Sequence, residues 1–193
     1  MKNKFFTFIS PYLNFIDRGD MFRKPFSWLY ALLAIINLLV PFITLFWAIE
    51  KKIFEYGDSK VLITFFFVWT IIAFASWVSF QLWWDRRIKV TQTTIEGDEF
   101  IATPVFSHYI QTLGEWIGTW VGIVGTAISL SFTLIMGDVG SYYLQDLDIP
   151  FFEAGIASII LMPIYGFLII VFGRFLAETF RALSSIANNT KKI

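Results

Sequence analysis

Four long apolar stretches, nearly free of charge, alternate along this chain with shorter polar segments: residues 25–49, 61–84, 116–136 and 151–173. Each holds about 20 residues or more, and a helix rising about 1.5 Å per residue at that length crosses a hydrocarbon core of roughly 30 Å. The pattern predicts an all-α fold, an integral membrane four-helix bundle that forms one domain over residues 1–193. Outside the spans the apolar positions change to helical spacing. In residues 1–24, Phe5, Phe6, Phe8, Ile9, Tyr12, Leu13, Phe15 and Ile16 recur at i, i+3, i+4. Ser10-Pro11 reads as an N-cap followed by proline at the first helical position, and Gly19 ends the pattern. The segment is expected as a short helix in the membrane interface or against the bundle's own ends.

Residues 85–115 are read as a loop, polar from 85 to 98, with a lead-in helix behind it. Thr103-Pro104 looks like an N-cap and first-turn proline. Val105, Phe106, Tyr109, Ile110, Leu113, Trp116 and Ile117 then carry a helix into the third span without a break. Residues 174–193 continue the fourth helix past the membrane, through Phe175, Leu176, Phe180, Leu183 and Ala187, to Asn188-Asn189. The connections 50–60 and 137–150 are read as loops.

Composition agrees with a membrane interior. Hydrophobic residues make up 56% and aromatics 20%, with a mean hydropathy of +0.65, more apolar surface than a soluble fold of this size can cover. The net charge is zero, but its distribution orients the chain. Lys2, Lys4, Arg18, Arg23, Lys24, Arg86, Arg87, Lys89, Arg174, Arg181, Lys191 and Lys192 fall on one side; Lys51, Lys52 and Lys60 fall on the other. The positive-inside rule then places both termini in the cytoplasm. Segment 137–150 has Asp138, Asp146 and Asp148 and no base. Trp28, Trp83, Trp84 and Trp116 are expected in an aromatic belt at the cytoplasmic ends, and Trp47, Tyr142 and Tyr143 at the outer ones. The start of the chain does not read as a cleaved signal, because Pro11 interrupts a short apolar run and no small-residue cleavage site follows.

The most specific packing signal lies on the third helix. Gly114, Gly118 and Gly122 repeat at every fourth residue, and Gly125, Thr126 and Ser129 prolong a small-residue face. Such a face admits another backbone closely. It predicts packing within the bundle, against the first or fourth span, in preference to an interface between copies. Polar groups at depth are few. Asn37, one turn before Pro41, is read as one interhelical hydrogen bond, with a local kink at Pro41. Pro163 with Gly166 predicts a bend in the fourth span. Charges gather at the cytoplasmic boundary: Asp85, Arg86 and Arg87 end the second span, Glu115 opens the third, and Arg174, Glu178 and Arg181 share a face of the fourth. Glu115 is expected to pair with Arg174 or a neighbouring arginine, since a bare carboxylate there is costly. The cluster is read as a structural ion-pair network in preference to a gate.

The chain has no cysteine and one histidine, His108, so thiol chemistry and a multi-histidine metal site are excluded. No nucleophile–base set, phosphate loop or metal-ligand spacing can be assembled. No catalytic residue, metal or cofactor is expected, and no nucleic-acid partner.

The run Arg174-Phe-Leu-Ala-Glu178, followed by Ile186-Ala187-Asn188-Asn189-Thr190, resembles the C-terminal pattern of a bacterial family of small membrane proteins, the domain of unknown function forty-two eighty-two. The Phe-rich start with Pro11-Tyr12-Leu13 is similar too. The resemblance implies a bacterial membrane location and no known activity. The expected function is a non-enzymatic accessory or scaffold subunit in the bacterial inner membrane, binding other membrane subunits or copies of itself through its helix faces. The alternative is a small oligomeric channel or transporter whose pore is lined by Asn37, Gln81, Thr126, Ser129 and Ser131, with Arg174 and Glu178 at its mouth.

Overall fold

The computed structural model describes residues 4–17, 20–92, 102–146 and 155–190, and side chains within 9–16, 21–92, 102–142 and 155–190. All regular structure among them is helical. Helix α1 (Lys4–Asp17) precedes α2 (Asp20–Glu50), the single turn α3 (Ile53–Tyr56) and α4 (Ser59–Thr91). Then follow α5 (Ala102–Trp120), a π-helical turn (Val121–Gly125), α6 (Thr126–Leu134), α7 (Asp138–Asp146) and α8 (Ile156–Thr190). The units α2, α4, α5–α6 and α8 are long and apolar enough to cross a membrane. This is the architecture of a four-span integral membrane protein.

Several boundaries differ from the sequence reading, each for a local reason. Pro11 lies inside α1, because Phe5 to Ile9 already continue the helical stripe upstream of it; Gly19 lies outside the described residues. Helix α5 begins at Ala102, so Pro104 falls within its first turn, where a missing N–H is harmless. Helix α4 runs to Thr91, helped by Arg86, Arg87 and Lys89, which favour helix, and by an Asp85–Lys89 pair at i, i+4. Both connections expected as loops contain helix. Lys52, left-handed at φ 54°, turns α2 into α3. Asp58 caps α4 by accepting from the Val61 amide at 2.8 Å. Gly137, at φ +62°, turns α6 into α7, and Gly140 then packs on Phe132 and Met136. Residues 147–154, which include the expected start of the fourth span, lie outside the described residues.

The third span is continuous in its path but changes hydrogen-bond register at 121–125, where glycines at 122 and 125 tolerate the wider turn. Thr126 donates to the Gly122 carbonyl there.

The helices pack as a row. Helix α2 pairs along its length with α4, α4 packs on α5 and α6, and α5–α6 pack extensively on α8. A small contact joins α2 to α5, whereas α2 and α8 make no close approach among the described residues. The third helix is the most buried of the four: a third of its most apolar window is buried, against 22% for α2 and 17% for each of α4 and α8. Exposed apolar side chains such as Phe42, Phe46, Phe167 and Phe172 cover the outside, as suits a solvent of lipid tails.

Candidate functional site

The polar and charged residues that the fold gathers lie at the basic end of the row, on α2, α4, α5 and α8. Glu115 is at the centre. Its carboxylate is almost enclosed, with the side chain 7% exposed. Arg86 of α4 donates to Oε2 at 2.8 Å. Arg174 of α8 donates to Oε1 through Nε at 3.0 Å and Nη2 at 2.9 Å. Gln111, one turn earlier on α5, adds a third donor to Oε1 at 2.9 Å. The Gln111 carbonyl oxygen in turn accepts from Arg181 Nη2 at 2.9 Å. One carboxylate thus ties three helices together, and the two flanking guanidiniums compensate its charge by short charge-assisted bonds.

Beside this network lies a buried neutral cluster. The Tyr30 hydroxyl of α2 meets His108 Nδ1 at 3.2 Å and Thr112 Oγ1 at 3.4 Å. Thr112 also donates to the His108 carbonyl at 2.8 Å. Tyr30 is fully buried among aromatic rings, edge-on to Trp83 at 5.1 Å and to Tyr109 at 6.1 Å. Trp83 and Trp116 therefore belong to the core. They depart from the expected interfacial belt because their rings fill the wedge between α2, α4 and α5. Trp28 and Trp84 remain outward, 69% and 41% exposed.

Deeper in the spans, indole N–H groups join the helices. Trp116 donates to Asn37 Oδ1 at 2.8 Å, while Asn37 Nδ2 donates to the Leu33 carbonyl. Trp120 donates to Ser79 Oγ at 2.8 Å. Trp69 and Thr44 both donate to the Pro41 carbonyl at 2.9 Å. Asn37→Leu is expected to leave the Trp116 indole without its acceptor. The cost is about 0.6 kcal/mol, up to roughly 2, as interhelical bonds in lipid are typically worth. A small drop in melting temperature with intact assembly in detergent is the expected readout; aggregation would count against it.

The glycine face of the third helix meets α8. A Cβ built on Gly114 would stand 2.8 Å from Gly173 Cα, and one on Gly118 would collide with the Gly166 carbonyl oxygen. Gly122 lies opposite Gly166 and Pro163 at ordinary contact distance. The seam is pinned at one end by Ser107, which donates to the Ala177 carbonyl at 2.6 Å, and at the other by Thr133, which accepts from the Gly155 amide at 2.8 Å. These glycines are occupied within one chain. Gly125 and Ser129 are buried as well, the Ser129 hydroxyl without a partner among the described residues.

The other predicted residues are dispersed. Asp85 pairs with Lys89 at 2.7 Å, away from Glu115. Arg87 turns to Ser27 and to the Trp84 ring. Glu178 is exposed and makes no ion pair among the described residues. Of the proposed pore-lining set, Gln81 is exposed on α4 while Ser129 and Ser131 are fully buried, and Ser131 donates to the Ala127 carbonyl. They share no common face in one copy. Gln111, Tyr30, Ser107 and Gly173 were not foreseen, although Gln111 at i−4 from Glu115 and Gly173 seven residues after Gly166 were visible as spacings. Among the described residues no three His, Asp or Glu side chains form a metal-binding group. No family model, curated protein or solved structure matches this chain.

Proposed function

We propose that the chain is a non-enzymatic membrane subunit that binds other membrane proteins through its helix faces. One observation carries this reading: the spans form an open row in which α8 packs on the third helix alone. Its opposite face, with Ile160, Ile164, Phe167, Val171 and Phe175, is uncovered along the whole span. The internal polar groups support the same reading. Asn37, Ser79, Ser107, Thr112 and Glu115 are bonded inside the chain, which leaves few to line a hydrated path. By the positive-inside rule both termini are cytoplasmic, in a bacterial inner membrane by the family resemblance.

Photo-reactive residues placed at Phe167 and Phe175, on the chain in its native membrane, test the proposal. A discrete adduct with one other membrane protein is expected, together with co-purification at fixed stoichiometry that Phe167→Ala with Phe175→Ala abolishes. Adducts with lipid alone would overturn it. So would a symmetric ring of this chain that conducts ions in liposomes.

A further inference from the structure

A second group of basic residues at the same end has no counter-charge among the described residues. Arg23 and Ser27 are one turn apart on α2, on the stripe that continues through the buried Tyr30, Ala34, Asn37 and Pro41. Arg23 therefore faces the bundle, and its Nε is buried with no hydrogen-bond partner among the described residues. Arg87 of α4 reaches the same place: its Nε donates to Ser27 Oγ across a long 3.4 Å, and its guanidinium lies 4.9 Å from the Trp84 ring centre. No described carboxylate pairs with either arginine. Asp85 is taken by Lys89, and Glu115 by Arg86 and Arg174. A buried, unpartnered Arg23 Nε one turn from Ser27, and an Arg87 that holds the Ser27 hydroxyl only at long range, leave donors short of an anion among the described residues.

We propose that Arg23, Ser27 and Arg87 bind the phosphate of an anionic phospholipid in the adjoining leaflet. Two guanidinium forks and a hydroxyl match the oxygens of a phosphodiester, which a guanidinium grips in bidentate fashion. Basic pockets between spanning helices are where headgroups of this charge are held. The surroundings select a lipid over a free anion. Phe22, Trp28, Trp84 and Ile88 flank the arginines and are 37%, 69%, 41% and 55% exposed. They offer apolar surface to the glycerol and first methylenes, with the tryptophans at headgroup level.

Native mass spectrometry of the full chain released from nanodiscs tests this, with phosphatidylglycerol against phosphatidylcholine. The parent is expected to retain phosphatidylglycerol, and R23Q/R87Q to lose its preference by about 10- to 30-fold, the worth of two interfacial arginines. R174Q should keep the preference, since Arg174 serves Glu115. If R23Q/R87Q does not fold, R23K/R87K keeps the charge and loses the forks, and a preference reduced only in part is the expected result. An equal affinity of the parent for both lipids would overturn the site, as would an undiminished preference in both double variants. Protection by inorganic phosphate alone, equal to that by phosphatidylglycerol, would overturn the lipid as its occupant.

Discussion

Replacing Glu115 with alanine is expected to destabilise the folded protein by about 3–5 kcal/mol, because it leaves guanidinium groups enclosed without their counter-charge. Arg86 is the decisive partner. Its side chain is 17% exposed, against 55% for Arg174, so Arg174 can turn to water once released and Arg86 cannot. Gln111 also loses the oxygen to which it donates. The melting temperature in detergent should fall by about 10 °C. The double variant Arg86→Met with Glu115→Met should recover most of that loss, because removing both charges removes the desolvation penalty with them. A Glu115→Ala protein within about 1 kcal/mol of the parent would mean that the pair behaves as an exposed one.

The second large effect is expected at Gly118. An alanine Cβ there would overlap the Gly166 carbonyl oxygen and lie 2.5 Å from Ile170 Cγ1. Backbone cannot yield as a flexible side chain does, so the third helix and α8 must separate. Overpacking of this kind costs about 1–3 kcal/mol, and more where a whole seam is forced open. At Gly122 the same methyl would find Gly166 Cα at 3.7 Å and Pro163 Cα at 3.9 Å, ordinary contact. Gly118→Ala should therefore be severely destabilised and Gly122→Ala close to the parent. The natural chain has no cysteine, which allows a direct readout. A disulfide engineered between positions 107 and 177 should form efficiently in the parent and in Gly122→Ala, and poorly in Gly118→Ala. Equal yields in all three would contradict the close approach.

The fold was legible because lipid imposes length and polarity on any segment that crosses it. The four spans, the glycine face and the need of Glu115 for an arginine all follow from that constraint. Helix ends were less legible. Pro11 and Pro104 were read as start signals, but a proline marks only where an N–H is dispensable, and upstream residues with their own stripe can extend the helix past it. Trp83 and Trp116 were read as belt residues because the sequence shows only their level along a helix. Which way they face depends on how α2 and α4 are placed against α5, which a single helix cannot encode. The candidate site was legible as a set of charges. The sequence could not say which arginine reaches Glu115 and which is left at Ser27, since Arg86 and Arg87 are adjacent and differ only by about 100° around the helix axis.

The π turn at 121–125 has a consequence of that same angle. Continued as a regular α-helix, residues 126–134 would be rotated by about 100° relative to α5. The fully buried Ser129 and Ser131 would swing out of the interior, and Thr133 would lose the Gly155 amide. The widened turn absorbs one surplus residue and resets the phase of the helix. Both halves of the third span can then keep facing α8, though no single rotational setting would serve them together.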